Sequence, residues 1–217
     1  MATPYLQLWT EEVASTQDLA RSELDSLPLV VAAQRQTAGR GRGGAPWLSA
    51  PRALAVSLAF RPPDEDLRPF SLMAGVAAAR GLEGVSLKWP NDLLGDGAKV
   101  GGILVERADE VVIGMGVNLW WPNAPEGMGA LREDDPGPGL HAQIAGLWAA
   151  EMMRLIGSDG WPLDEYRSLC STLGREISWE PEGEGTAIEV TGEGALVVEI
   201  SGVRQTLTSG AIQHLRH

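Results

Sequence analysis

The sequence predicts an α+β protein in which helices cover a β-sheet, followed by a separate and smaller β-structure. Before Gly174, apolar runs of strand length alternate with stretches of helical periodicity. After Gly174, short alternating runs such as GTAIEV and ALVVEI are separated by glycine-containing turns, which is the pattern of a small barrel or meander. We therefore expect two domains, spanning residues 1–173 and 174–217.

The first domain is predicted to contain strands and helices in alternation. Alternating or β-rich apolar runs predict strands at residues 5–9, 29–34, 53–60, 85–89, 99–106 and 110–118. Ser15-Thr16 precedes a predicted helix start at residues 17–20, with a hydroxyl at the N-cap. Apolar residues three or four apart predict further helices at residues 67–82, 140–155 and 161–173. Residues 122–139 contain four prolines and four glycines, so we expect a mobile loop there.

Composition and charge restrict the partners and the compartment. The net charge of -12 disfavours nucleic acid as a partner, because nucleic-acid binding draws its affinity from Lys and Arg that neutralise phosphates. The longest apolar run, residues 111–121, is interrupted by glycines and Asn118, so no membrane span is expected. The single cysteine, Cys170, cannot form an internal disulfide or complete a zinc site, which favours a cytoplasmic protein.

The most informative stretch is QRQTAGRGRGG at residues 34–44, directly after a predicted strand. Its glycines allow several backbone N–H groups to converge, and the guanidinium forks of Arg40 and Arg42 suit a carboxylate or a phosphate. The same glycines satisfy the G-x-G-x-x-G fingerprint, but Pro46 follows where a dinucleotide-binding fold needs a helix. The stretch is therefore either an anion-binding loop or a solvated surface turn.

Four further positions have two interpretations from the residues alone. Ser15 and Thr16 either cap a helix or hold a polar ligand beside free N–H groups. Of the 17 cationic residues, only Lys88 and Lys99 are lysines. This pattern indicates either that a compact ammonium is needed at both sites or that the lysines are retained by chance.

Five ordered motifs resemble the biotin protein ligases. They are STQ at residues 15–17, QTAGRGRGG at 36–44, LKWPNDLL at 87–94, KVGGILVE at 99–106 and GMGVN at 114–118. The runs AIEVTGEGALVVE and SGAIQHLR near the C-terminal end resemble the small SH3-like domain of that family. The resemblance implies a mixed β-sheet flanked by helices, as in class II synthetases, with a small SH3-like β-barrel. It also implies the monofunctional type, without an N-terminal DNA-binding domain.

The resemblance implies a biotin site as well. Its residues would be Ser15, Thr16, Gln17, Gln36, Gly39, Arg40, Gly41, Arg42, Lys99, Gly102 and Gly114. Ser15, Thr16 and Gln36 would hold the ureido ring, while the two arginines would order the loop over the adenylate. Lys99 would bridge the biotin carboxylate and the α-phosphate of ATP. The glycines of the later strands would let the backbone approach the ligand.

A nucleotide site is implied beside the biotin site. Its residues would be Trp47, Lys88, Trp89, Asn91 and Asn118, although either tryptophan could serve core packing instead. The implied catalytic residues are Lys99, Arg40, Arg42 and Asp92. The three cations would offset charge at the transferring phosphorus. Asp92 would either accept the proton of an acceptor lysine or only fix its own turn.

The implied reaction is the ATP- and Mg²⁺-dependent activation of biotin to biotinyl-5'-AMP, followed by transfer to a lysine of a biotin carboxyl carrier protein. No metal ligand is identifiable from spacing. The sequence departs from the family at Gln17, where Asn is more usual, and at Gly43, Ala45 and Pro46, where basic residues are common. The last three reduce the positive charge of the glycine-rich loop, which we expect to be mobile until ligand binds.

Two alternatives stay open at this point. A lipoate or octanoate ligase or transferase would need a longer apolar tunnel and no set of ureido-binding residues. A biotin-binding or metabolite-binding module without catalysis would not need both lysines.

Overall fold

In the described part of the chain, the fold consists of two β-sheets with four α-helices. The computed structural model describes residues 4–63, 66, 69–180, 183–208 and 210–215. The first sheet contains β1 (Leu6–Val13), β2 (Leu29–Gln36), β3 (Arg52–Phe60), β4 (Val85–Lys88), β5 (Asp92–Gly95), β6 (Ala98–Arg107) and β7 (Val111–Trp120). The helices are α1 (Thr16–Ser22), α2 (Phe70–Gly81), α3 (Leu140–Ile156) and α4 (Leu163–Leu169).

The first sheet is mixed, as the resemblance implied. Its strand order is β1-β2-β3-β7-β6-β5-β4, and only β1 and β2 run parallel within it. The parallel pair is joined through α1, since a parallel connection needs a crossover. The central strands β3 and β7 are almost continuously buried, because helices cover both faces of the sheet.

The period of two along β2 assigns its side chains to the two faces. Val30 and Ala32 belong to the large core that α2, α3 and α4 cover. Leu29 and Val31 belong to a smaller core beneath α1, whose Ala20 packs there. Alternation in this strand therefore serves two cores, and residues 29–33 are buried on both faces.

Several predicted boundaries differ from those in the structure. The first strand extends to Val13, and β5 follows the Pro90-Asn91 turn directly, where no strand was expected. Helices α2 and α4 begin after Pro69 and Pro162, because proline fits the start of a helix but interrupts its interior. The predicted helix at residues 161–173 ends at Leu169, and the first part of the predicted helix at 67–82 lies outside the described residues.

The predicted mobile loop at residues 122–139 follows the sheet for part of its length. Lys99 N donates to the carbonyl of Gly127, and Gly129 N donates to the carbonyl of Lys99, both at 2.9 Å. The side chain of Asn118 donates to the carbonyl of Gly129 at 3.0 Å. This loop therefore braces the strands that carry Lys99.

The second sheet is a five-stranded antiparallel structure. It contains β8 (Glu176–Trp179), β9 (Gly183–Val190), β10 (Leu196–Ile200), β11 (Val203–Leu207) and β12 (Ile212–His214) in the order β11-β10-β9-β8-β12. Strands β11 and β12 are the two edges of this sheet and do not pair with each other. The described strands therefore form a small sheet of the expected SH3-like kind that does not close into a barrel. Within the described residues, no helix is long and apolar enough to cross a bilayer.

Hydrogen bonds join the two sheets at Trp89. The Trp89 ring is buried, and its Nε1 donates to the carbonyl of Gly194 at 3.0 Å. Its backbone N donates to Thr172 Oγ1 at 3.1 Å, and that hydroxyl also bonds His214 Nε2 at 3.1 Å. The C-terminal sheet thus holds the segment that precedes the β4–β5 turn.

His214 has a strongly lowered pKa, about 4 instead of 6.5. Burial is the largest cause, and the nearby charges of Lys88 and Arg175 lower the pKa further, while Asp92 opposes them. The folded protein therefore holds His214 neutral at pH values where an unfolded chain would bind a proton.

We expect His214→Gln to weaken the acid sensitivity of folding. Because the folded-state pKa lies below the unfolded one, the stabilisation is complete above pH 6.5 and is lost as the pH falls towards about 4. Urea denaturation from pH 8 to pH 4 should show a smaller loss of unfolding free energy in His214→Gln than in the wild type. Gln213→Asn, at the exposed neighbour, is the control, and parallel pH profiles for all three proteins would contradict the assignment.

Candidate functional site

A cavity of about 310 Å³ lies against the first sheet, between the β4–β5 turn and the glycine loop, defined here as residues 37–47. Strands β3, β6 and β7 contribute its floor, and the first turn of α1 contributes one end. Ala211 and Ile212 of the C-terminal segment line it as well. The volume suits a small-molecule ligand.

All but two of the predicted site residues line this cavity. They are Ser15, Thr16, Gln17, Gln36, Arg40, Gly41, Arg42, Trp47, Lys88, Trp89, Asn91, Asp92, Lys99, Gly102 and Gly114. Gly39 lies behind the wall, where an added Cβ would be 2.9 Å from Gln36 Nε2. Asn118 is fully buried and holds the loop at residues 122–139, so the structure does not place it with the nucleotide-site candidates.

The floor of the cavity is a part of the sheet without large side chains. Neighbouring positions across four strands are Ala55, Gly116, Gly102 and Asp92. A Cβ at Gly116 would lie 2.7 Å from Cζ2 of Trp47, and a Cβ at Gly102 would lie 3.3 Å from Cζ3 of the same ring. The indole of Trp47 therefore packs directly on the strand backbone. Trp47 is a wall of the cavity, whereas the buried ring of Trp89 belongs to the core.

The glycine loop forms a small hairpin. Trp47 N donates to the carbonyl of Gly39 at 3.0 Å, and Gly41 N donates to the carbonyl of Ala45 at 2.7 Å. The turn at its tip needs Gly43 and Gly44, whose φ angles of 64° and 78° are in the left-handed region. The sequence departure at Gly43 is therefore required by the backbone of this turn.

Hydrogen bonds at one end of the cavity organise three polar side chains. Gln36 Oε1 accepts from Thr16 N at 2.8 Å and from Thr16 Oγ1 at 3.0 Å. Thr16 Oγ1 also lies 2.8 Å from the Oγ of Ser57, a fully buried residue of β3. Because both acceptor positions of the Gln36 amide oxygen are used, the Gln36 Nε2 group is the part of that side chain suited to a ligand acceptor.

Gln17 supplies a hydrogen-bond acceptor at the same end. The side chain is buried, and its Oε1 has no hydrogen-bond partner within the described part of the chain. An added Cβ at Gly114 would lie 2.9 Å from this oxygen, so a larger residue there would displace the Gln17 side chain. A buried amide oxygen without a partner is costly, and a donor on a ligand would remove that cost.

Ser15 is a helix cap and also lies at the cavity, where the second role that the sequence left open would place it. It is the N-cap of α1, where its Oγ accepts a hydrogen bond from Asp18 N at 3.3 Å. It also lines the cavity. The cap therefore fixes the direction of the first turn, and Thr16 and Gln17 follow it into the cavity wall.

The other end of the cavity carries both lysines. Lys99 Nζ is 2.6 Å from Asp92 Oδ1 and 6.0 Å from the centroid of the Trp47 ring. Burial lowers the pKa of Lys88, and the charge of Lys99 lowers it further, although Asp92 opposes the shift. Two ammonium groups around one carboxylate leave a net positive charge that suits an anionic ligand.

The two arginines of the glycine loop have different environments. Arg42 is exposed, and its Nη1 donates to Asn91 Oδ1 at 3.3 Å and to the carbonyl of Gly210 at 3.1 Å, both neutral acceptors. Arg40 instead forms ion pairs with Asp18 and Glu106. Of these two arginines, Arg40 is paired with carboxylates, whereas the hydrogen bonds of Arg42 described here go only to neutral groups.

Sequence reasoning missed four residues that shape the site. Ser57 is the only hydroxyl residue in the apolar run ALAVSLAF, a signal that could have drawn attention to it. Gly116 lies on the same strand face as Gly114, two residues along GMGVN. Asp18 and Glu106 had no such signal, because only the fold brings them to Arg40.

Comparison with known proteins identifies relatives of this chain. The sequence model of the Biotin/lipoate A/B protein ligase family matches residues 5–123. The chain is 29% identical to the biotin–[acetyl-CoA-carboxylase] ligase of Mycobacterium tuberculosis, over 91% of this chain and 83% of that protein. It is 36% identical to the bifunctional ligase/repressor BirA of Bacillus subtilis, but that match spans only 52% of this chain and 40% of the relative.

Solved structures share the whole fold. The biotin protein ligase from Aquifex aeolicus in complex with biotin and ATP superimposes with a TM-score of 0.83 at 25% identity, covering 97% of this chain and 99% of that one. The apo structure of the Aquifex aeolicus ligase gives a TM-score of 0.79 at 22% identity, covering 98% and 100%. Since the family match also includes more than half of the sequence, this chain belongs to the biotin/lipoate A/B protein ligase family.

Proposed function

We propose that this protein is an ATP-dependent biotin–protein ligase, which forms biotinyl-5'-AMP and transfers biotin to a lysine of a biotin carboxyl carrier domain. The observation that carries the proposal is the polar end of the cavity. Gln36 Nε2 is suited to donate, and Gln17 Oε1 is an acceptor without a partner among the described residues. The ureido ring of biotin carries the matching groups, one C=O and two N–H.

The comparisons support the same choice of substrate. The Mycobacterium tuberculosis relative is a biotin–[acetyl-CoA-carboxylase] ligase, and the Aquifex aeolicus structure contains biotin and ATP. Lipoate and octanoate have no N–H donors in their ring or chain, so they would leave the Gln17 oxygen unpaired in a buried site. A binding module without catalysis would not account for the cationic end of the cavity.

The first step joins two anions. An oxygen of the biotin carboxylate attacks the α-phosphorus of ATP, and the bond to pyrophosphate breaks. The carboxylate is already ionised near neutral pH and needs no base. What the protein supplies is positive charge, and Lys99, Lys88 and Arg42 line the same cavity. Cations placed where charge develops lower the barrier to phosphoryl transfer.

The second step consumes the adenylate. The amine of an acceptor lysine attacks the activated carbonyl, AMP leaves, and one proton is released. Asp92 is the carboxylate among the cavity-lining residues, and its ion pair with Lys99 places it at the cationic end. We infer that Asp92 receives this proton after contacts between Lys99 and the adenylate have replaced the ion pair between Lys99 and Asp92.

Magnesium belongs to the proposal as part of the ATP substrate. Within the described residues, no three His, Cys, Asp or Glu side chains form a group that could hold a metal ion. Mg²⁺ would therefore enter on the phosphates and water of the nucleotide, its usual ligands. A cytoplasmic location is also proposed, because the sole cysteine, Cys170, is a free and buried thiol.

The substrate assignment predicts that pyrophosphate is released with biotin and ATP but not with lipoate or octanoate. Gln36→Met should raise the KM for biotin about tenfold or more, because it removes the polar group at the ureido end. Gln34→Met makes the same change on the same strand outside this cavity and should leave the KM unchanged. Faster turnover with lipoate than with biotin would contradict the assignment.

The charge assignment predicts that Lys99→Ala lowers pyrophosphate release about 100-fold or more while the protein stays folded. Lys99→Arg should also fail, because a planar fork cannot occupy the place of a compact ammonium. Thermal unfolding and circular dichroism would confirm the fold of both variants. Wild-type release from folded Lys99→Ala would exclude this role.

The proton-transfer assignment predicts that Asp92→Asn separates the two steps. Transfer from preformed biotinyl-AMP to an acceptor domain should slow about 100-fold, the usual size of a general-base contribution. Pyrophosphate release should fall far less, because the first step needs no base. Equal losses in both assays would instead assign Asp92 only to the positioning of Lys99.

A further inference from the structure

The guanidinium of Arg40 has every N–H group engaged by the protein. Nε donates to Glu106 Oε1 at 3.1 Å, and Nη2 donates to Glu106 Oε2 at 3.0 Å and Asp18 Oδ1 at 2.6 Å. Nη1 donates to Asp18 Oδ2 at 2.8 Å and to Ser15 Oγ at 3.2 Å. A guanidinium has five N–H donors, and these five bonds use all of them.

These bonds connect three distant segments of the chain. Arg40 lies in the glycine loop, Asp18 in the first turn of α1 and Glu106 near the end of β6. Arg21 holds the same Glu106 from the other side, with Nη2 at 3.0 Å from Oε2, and also bonds Glu110 at 2.8 Å. Glu106 is therefore fixed by two arginines, and the glycine loop is attached to a rigid strand and helix.

The net charge around Arg40 argues against direct binding of an anionic ligand by this side chain. The cluster of Arg21, Arg40, Asp18, Glu106 and Glu110 contains two cations and three carboxylates, so its net charge is negative. The hydrogen bond from Arg40 lowers the pKa of Asp18. Burial opposes ionisation of Glu106, but the bonds from Arg40 and Arg21 outweigh it and lower its pKa too. Both carboxylates stay ionised at neutral pH and hold Arg40.

We propose that Arg40 is the anchor of the glycine loop and not a ligand-binding cation, and that Asp18 and Glu106 are positioning residues for retention of the acyl-adenylate. The inference rests on the proposed function. With Arg40 held, the base of the hairpin is fixed, and Arg42 stays over the cavity on its two neutral acceptors. Arg40 also orients Ser15, the cap of the helix that presents Thr16 and Gln17.

The test exploits two roles with effects of opposite sign. If Arg40 is an anchor, Asp18→Asn and Glu106→Gln loosen the loop, raise the KM for biotin and speed the release of biotinyl-AMP, by about three- to tenfold for one lost ion pair of a partly exposed network. The alternative is that Arg40 binds ligand anions and pairs with Asp18 and Glu106 only while no ligand is present. In that case the same variants free its guanidinium for the ligand and lower the KM for biotin. A lower KM in either variant overturns the proposal.

Coupling between the variants sharpens the test. Arg40→Gln should resemble Glu106→Gln, and the double variant Arg40→Gln/Asp18→Asn should be no worse than Arg40→Gln alone, because one anchor is lost in each. Additive effects would show that Asp18 acts independently of Arg40 and would overturn the proposal. Asp18 is largely exposed, so Asp18→Asn keeps the test usable if Glu106→Gln fails to fold.

A matched control exists elsewhere in the fold. Arg80 is also held by two carboxylates, those of Glu151 and Glu165, and ties α2 to α3 and α4 away from the cavity. Arg80→Gln removes a comparable network, so it should change thermal stability without changing adenylate release. An equal increase in release for Arg80→Gln would show that general destabilisation is the cause and would overturn the proposal.

A second readout does not depend on catalysis. Hydrogen exchange at residues 37–47 of the ligand-free protein should speed up in Asp18→Asn and Glu106→Gln and stay at the wild-type rate in Arg80→Gln. Unchanged exchange in the first two variants would contradict the anchor. If the wild type released no pyrophosphate with biotin, the proposed function would fail, but the exchange result would still decide whether Arg40 holds the loop.

Discussion

The site depends on glycines in the neighbouring strands β6 and β7, where the sheet carries no side chains. Gly102, Gly114 and Gly116 lie where an added Cβ would press on Trp47 or Gln17. Side chains at Gly102 and Gly116 would push the indole of Trp47 off the sheet, and a side chain at Gly114 would press on Gln17. The depression exists because two neighbouring strands are fully paired by backbone bonds and need no side chains there.

The distribution of charge explains how an acidic protein can serve an anionic substrate. The chain has a net charge of -12, yet the cavity collects Lys88, Lys99 and Arg42 near one carboxylate, Asp92. Other arginines are neutralised by carboxylates, among them Arg40, which also lines the cavity, and Arg80, which lies away from it. A compact positive region inside a negative surface keeps its local effect, because charges more than about 10 Å away are screened by salt.

The C-terminal sheet contributes to the site as well as to the fold. It holds Trp89 through the Gly194 carbonyl and through Thr172 and His214, which fixes the strand that leads to Asn91 and Asp92. It also supplies Ala211 and Ile212 to the cavity. These contacts join the two sheets at the cationic end of the cavity, so the positions of Asn91 and Asp92 depend on both sheets.

The sequence by itself determined most of the strands and helices and the glycine loop, because these follow from local periodicity and backbone freedom. The resemblance of its short motifs to a known family identified most of the residues that line the cavity. The tertiary structure alone decided which side chains contact one another. Arg40 and Arg42 look equivalent in GRGRGG, yet one is enclosed by Asp18 and Glu106 while the other faces neutral acceptors. Residues so far apart in sequence meet only through the strand order and the crossover of α1, which no local pattern encodes.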